Sequence, residues 1–111
     1  MIHGKIAVCV VGAGRAGMIH AVNFAKHVPQ TILAAIVDTD RTAAKAAAEK
    51  LGAENYYTSC NEALSDERID AFIVVSPTKY HMETVKAIAA SGKHILCEKP
   101  MAMTENECDE M

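Results

Sequence analysis

Six consecutive apolar residues, Ile6-Ala7-Val8-Cys9-Val10-Val11, run without a break into Gly12-Ala13-Gly14-Arg15-Ala16-Gly17. No other stretch limits the fold as tightly. A short, continuous, β-branched run predicts a strand buried on both faces. The stretch that follows, from about Arg15 to His27, has helical periodicity, with Met18, Val22 and Ala25 on one face. The chain must therefore pass from strand to helix within a few residues. The pattern G-x-G-x-x-G allows this and gives each glycine a task. Gly12 permits the tight turn. Gly14 leaves the backbone bare for a close-approaching pyrophosphate. Gly17 lets the helix pack against the strand. The start of that helix, at Arg15 and Ala16, offers free N–H groups and a partial positive charge to phosphates.

The rest of the chain repeats the alternation. Ile32–Val37 predicts a second strand. Asp38, Thr39 and Asp40 offer N-caps for an alanine-rich helix ending near Leu51, where Gly52 is placed as its C-cap. Residues 55–58 read as a short third strand, and 61–64 as one or two helical turns. Ala71–Val75 predicts the fourth strand. Thr78 is expected to cap a helix from about Lys79 to Ala90, closed by Ser91 and Gly92. His94–Cys97 predicts the fifth strand. Thr104 and Glu107 have capping-box spacing, so a last helix is expected to begin there. Apolar strands alternating with helices imply an α/β fold, a Rossmann-type doubly wound parallel sheet of five strands in the order 3-2-1-4-5. With 111 residues, one domain spanning 1–111 is expected. The last helix has no room to continue, so the natural protein is expected to go on into a further domain.

Asp38 ends the second strand twenty-one residues after Gly17. An acid at this distance is placed to accept hydrogen bonds from the adenosine ribose hydroxyls of a dinucleotide. Its charge would repel a 2′-phosphate, which favours NAD. Arg41 lies close enough to pair with such a phosphate, so NADP stays open.

Other classes are disfavoured. A net charge of −3 with scattered lysines and arginines gives no footprint for nucleic acid. No apolar run reaches the ~20 residues of a membrane span, and no signal-peptide pattern is visible. None of the four cysteines forms a C-x-x-C pair, so no metal site is expected and a reduced, cytoplasmic protein is the simplest reading. Cys9 and Cys97, within apolar runs, are expected to behave as small buried hydrophobes.

Two further segments carry a resemblance. Ser76-Pro77-Thr78-Lys79-Tyr80-His81 follows the fourth strand. Gly92-Lys93-His94-Ile95-Leu96-Cys97-Glu98-Lys99-Pro100-Met101-Ala102 contains the fifth. Together with the glycine loop, these resemble the N-terminal domain of the glucose–fructose oxidoreductase / inositol dehydrogenase / rhizopine catabolism (Gfo/Idh/MocA) family. Glu-Lys-Pro is the specific element, and the likeness runs from Lys5 to Met111. The resemblance implies an NAD(P)-dependent oxidoreductase acting on a secondary alcohol or carbonyl of a sugar, inositol or related polyol. Glu98 would lie near the nicotinamide ribose. Lys99 would be the catalytic residue, polarising or deprotonating the substrate hydroxyl. Ser76, Pro77 and Thr78 would line the cofactor groove, although many relatives have Asn in place of Thr78. His81 is grouped with the cofactor site but read as supporting it rather than touching the cofactor. His20 is read as a packing residue. A missing second domain would supply further acid/base groups, most of the substrate pocket and the interface of a homo-oligomer.

Lys99 can also be argued physically. At a strand end it opens into the crevice where such sheets bind ligands. Beside a positively charged nicotinamide, like charge and partial desolvation would lower its pKa toward neutrality. The alternative is an exposed lysine paired with Glu98. The Lys99–Pro100 bond is expected to be cis. The chain alone is expected to bind dinucleotide, to turn over little, and to self-associate through the edge of its fifth strand. The competing function is a non-catalytic dinucleotide-binding or redox-sensing module, against which the presence of Lys99 argues.

Overall fold

The computed structural model describes residues Met1–Met111. The strands are β1 (Ile6–Val11), β2 (Thr31–Val37), β3 (Asn55–Tyr57), β4 (Ala71–Val74) and β5 (His94–Cys97). The α-helices are α1 (Arg15–Lys26), α2 (Arg41–Leu51), α3 (Cys60–Leu64), α4 (His81–Ala90) and α5 (Glu105–Glu110). All four strand pairings are parallel, and the order is β3-β2-β1-β4-β5, as the alternation predicts.

β1 lies at the centre, and its continuous apolar run serves both faces. Ala7, Cys9 and Val11 pack on one side with Ala63 of α3 and Val85 and Ile88 of α4. Val8 and Val10 pack on the other with Ala21 of α1 and Ala44, Ala47 and Ala48 of α2. Phe72, Ile36, Ile69 and Ile88 are the largest fully buried apolar side chains. Each stabilises the fold by roughly 1.5–3 kcal/mol relative to exposure. Small alanines let α2 sit close to the sheet, and Gly52 ends it in the left-handed conformation at φ 77°.

Two local expectations need correction. The buried line of α1 is Gly17 and Ala21, flanked by Met18, Phe24 and Ala25, whereas Val22 lies outside the core. The closest helix–strand approach sets this line, and the smallest residues make it. Thr78 caps no helix. It opens a 3₁₀ turn, Thr78–Tyr80, and its side chain makes no capping bond there or at α4. Pro77 has no N–H to give and holds the extended conformation before that turn. The Lys99–Pro100 bond is cis, as expected.

A parallel sheet brings the carboxyl ends of its strands to one edge. Gly12 after β1, Asp38 after β2, Ser76 beyond β4 and Glu98 after β5 therefore share one crevice, where this architecture binds ligands.

Candidate active site

The glycine loop shows three different constraints. Gly12 has φ 115°, and a Cβ there would lie 2.9 Å from the Ser76 nitrogen. A Cβ on Gly17 would run into the Gly12 carbonyl oxygen. The fold itself therefore demands both glycines. A Cβ on Gly14 would meet nothing within 4 Å. Gly14 is the N-cap of α1 and has no side chain to cap it, so the first-turn N–H groups face outward uncapped.

Asp38 is fastened to this loop. Its Oδ2 accepts the Ala13 N–H at 2.8 Å, and its Oδ1 accepts the Asp40 N–H at 2.8 Å. Asp40, not Asp38, caps α2 by accepting the Ala43 N–H. Asp38 is thus free of the capping role and stands at the loop.

Two adjoining hollows line the crevice. One, about 480 Å³, brings together Gly12, Gly14 and Ala16 with Ser76, Pro77 and Thr78. Asp38, His81, Glu98 and Lys99 also line it. The other, about 470 Å³, shares Gly12, Asp38, Ser76 and Pro77 and extends between α3 and α4. Of the residues expected to bind cofactor or to catalyse, only Arg15 and Arg41 stand outside both. Both are exposed, and the Arg41 guanidinium lies 5.7 Å over the Tyr56 ring, within cation–π range. The second hollow adds residues that motif reading passed over: Ser59 and Cys60 at the start of α3, and Glu83, Thr84 and Ala87 on one face of α4. The strand order carried the signal for α3, because a segment following β3 must emerge at this edge. Burial pushes the Cys60 thiol up to about 11, so it presents a neutral wall.

Buried polar atoms point to what the hollows hold. The Ser76 hydroxyl is buried with no hydrogen-bond partner. Such a group is costly unless something satisfies it. His81 is buried among backbone carbonyls, and in its neutral form only one ring nitrogen can donate to them, which the shortest contact assigns to Nε2. Nε2 lies 2.6 Å from the Ser76 carbonyl oxygen, and Nδ1 lies 3.1 and 3.2 Å from those of Pro100 and Met101. It lies between the β4 exit and the cis-proline segment. Cys97 is only partly buried and touches Nδ1 of His81 at 3.4 Å.

Glu98 does not pair with the ammonium of Lys99. Its Oε2 accepts from Nε2 of His20 at 2.8 Å, and its Oε1 accepts the backbone N–H of Lys99 at 3.0 Å. The His20 bond first, then the Lys99 N–H, holds the Glu98 carboxyl below the usual carboxylate range. This corrects the packing role expected of His20. Lys99 itself is exposed.

Bare backbone at Gly14, an orphaned hydroxyl at Ser76, a loop-tied acid and a lysine at the strand ends fit a dinucleotide. Residues 6–111 match the Gfo/Idh/MocA oxidoreductase family, described by its NAD-binding Rossmann fold. The chain belongs to this family. It is 40% identical over 102 residues to myo-inositol 2-dehydrogenase of Thermotoga maritima, covering 92% of this chain and 30% of that protein. It is 35% identical to D-xylose 1-dehydrogenase (NADP(+)) 2 of Haloferax volcanii, covering 86% and 28%. Among solved structures, the scyllo-inositol dehydrogenase of Lactobacillus casei with bound NAD(H) and scyllo-inositol superposes with a TM-score of 0.89 at 28% identity. That match covers 95% of this chain and 31% of the other. The chain thus spans about 30% of the length of these Gfo/Idh/MocA relatives. No helix is long and apolar enough to cross a membrane.

Proposed function

We propose that residues 1–111 form one NAD(H)-binding domain and the cofactor half of a dehydrogenase active site. The contrast among the three glycines carries the proposal. The chain's own packing requires Gly12 and Gly17, whereas the bareness of Gly14 serves something outside the chain. A pyrophosphate over Gly14 would meet the uncapped N–H groups of Arg15 and Ala16. Asp38 accepts from the adenosine ribose hydroxyls, and its charge favours NAD over NADP. The Ser76 hydroxyl gains the partner it lacks, and Pro77 and Thr78 form the groove wall. Arg41 is engaged with Tyr56, which supports the same preference.

In the whole protein, the reading is hydride transfer to or from a secondary alcohol or carbonyl of an inositol, sugar or related polyol. When bound, oxidised nicotinamide supplies the hydride acceptor. Glu98 stands by the nicotinamide ribose, and Nζ of Lys99 takes the hydroxyl proton during oxidation and returns it during reduction. The relatives' dehydrogenase activities support this reading. Four free thiols fit a reducing cytoplasm, and the family likeness fits a homo-oligomer. Calorimetric titration of the chain with NADH and NADPH tests the cofactor reading. Saturable NADH binding tighter than NADPH binding is expected, and no binding at millimolar NADH would reject it.

A further inference from the structure

We infer that His20 is a positioning residue that keeps the Glu98 carboxylate off the Lys99 ammonium. The inference rests on the reading of Lys99 as the proton-moving group. Glu98 and Lys99 are neighbours in sequence, carry opposite charges and line the same hollow. Left to themselves, such side chains attract each other. Yet none of the chain's ion pairs includes Lys99. The reason is visible in the carboxylate. Its Oε1 accepts the Lys99 backbone N–H and its Oε2 accepts from His20, and the two bonds together orient the carboxylate toward α1 rather than toward the Lys99 ammonium. An ionised carboxylate only accepts, so His20 must present Nε2–H.

The contact is specific. His20 projects from α1, one turn beyond the glycine loop, and reaches a residue 78 positions away at the end of β5. The contact is a short polar one, 2.8 Å between Nε2 and Oε2, made by two side chains that both remain partly exposed. The other titratable groups on this hollow are His81, bonded to backbone carbonyls, and Asp38, bonded to backbone N–H groups. Neither competes for Glu98. A lysine that must exchange a proton works better without a carboxylate holding it as the ammonium. The glycine-loop helix therefore does two things: it receives phosphate at its first turn, and it frees Lys99 from its second.

Competitive acetylation of the chain with acetic anhydride at pH 8, read peptide by peptide, tests this directly, because only the free amine reacts. His20→Ala is expected to slow Lys99 acetylation roughly threefold, about half a pH unit, the scale of an exposed ion pair. His20→Gln, which keeps a neutral donor, is expected to restore the wild-type rate. In a Glu98→Gln background, His20→Ala is expected to change nothing. An unchanged rate in His20→Ala, or no restoration by His20→Gln, would overturn the inference. NADH protection of Lys99 in the wild-type chain reports separately on the cofactor reading. Its absence would overturn that reading and, with it, the purpose of keeping the pair apart.

Discussion

Asp38 accepts the Ala13 N–H through Oδ2 at 2.8 Å, so the acid closing β2 and the glycine loop closing β1 form one unit. The bond joins residues 25 positions apart, and it aims the remaining lone pairs of the carboxylate into the crevice. The proposed cofactor preference and the order of the loop therefore rest on one side chain.

Asp38→Ala should for this reason change two measurements. NADH affinity is expected to fall about tenfold or more, and the preference for NADH over NADPH to narrow. Loss of two backbone hydrogen bonds should also cost roughly 1–3 kcal/mol of stability. Calorimetry with both cofactors and a denaturant melt would check this. A lower stability with an unchanged cofactor ratio would reduce Asp38 to a loop fastener.

The glycines separate stability from binding. Gly17→Ala forces a methyl into the Gly12 carbonyl, with an expected cost of about 3 kcal/mol. Gly14→Ala has φ −72° and open space, so stability should stay within about 0.5 kcal/mol of wild type. NADH affinity should nonetheless fall. Paired urea melts and NADH titrations read both. Equal NADH affinity in Gly14→Ala and wild type would remove the principal support for the phosphate site.

Much of this site is legible in the sequence. The β-branched runs at Ile6–Val11 and Ala71–Val74, the glycine spacing and the position of Asp38 are local signals, and each produced the element or edge position expected of it. What escaped was non-local or geometric. Nothing near His20 announces Glu98, because their contact depends on α1 and β5 meeting across the sheet edge. The true buried line of α1 escaped because helical hydrophobicity favours Met18 and Val22, while the tight crossing admits only Gly17 and Ala21. The 3₁₀ turn at Thr78 escaped because Thr is an ordinary cap residue, and only Pro77 before it hinted otherwise.

His81 should prove structural at a distance from its own helix. Replacing it with Leu leaves the Ser76 carbonyl without its ring N–H and removes the ring that bridges toward Pro100 and Met101. The expected loss is about 1–3 kcal/mol, the cost of one buried carbonyl left without its donor. Hydrogen exchange should speed up at residues 99–103 more than elsewhere. A global loss with no local increase would show that His81 fills space rather than ties segments.

Stability should fall in acid through Asp66. Hydrogen bonding to the Arg68 guanidinium holds its carboxyl below its ordinary 3.8. A folded pKa below the unfolded one contributes stability that is complete above the unfolded value and is lost as pH falls through the folded value. The effect should therefore be full above about pH 4 and fade below it. Arg68 is half exposed, so solvent screening keeps it small. Thermal melts from pH 2 to 7 should show a shallower acid slope in Asp66→Asn. Parallel slopes would assign the acid response to other carboxylates.

The outer edge of β5 should drive self-association of this chain. β5 ends the sheet, so its outer N–H and C=O groups have no strand partner. Ile95 and Cys97 turn toward the core shared with α4, whereas His94 and Leu96 face the α1–α2 side, where no helix covers them. Leu96 is 50% exposed, and Met101 and Met103 just beyond it are 47% and 63% exposed. An open edge beside an apolar patch favours pairing with a second copy. The edge at β3 competes poorly, being three residues long with both tyrosines partly buried. Sedimentation at increasing concentration should show dimers or larger species for the wild type. Leu96→Lys should shift it toward monomer, since a charge on an edge strand opposes pairing. A wild type that stays monomeric at high concentration would show that the β5 edge is protected in solution, and a Leu96→Lys variant that still associates would move the contact to another face.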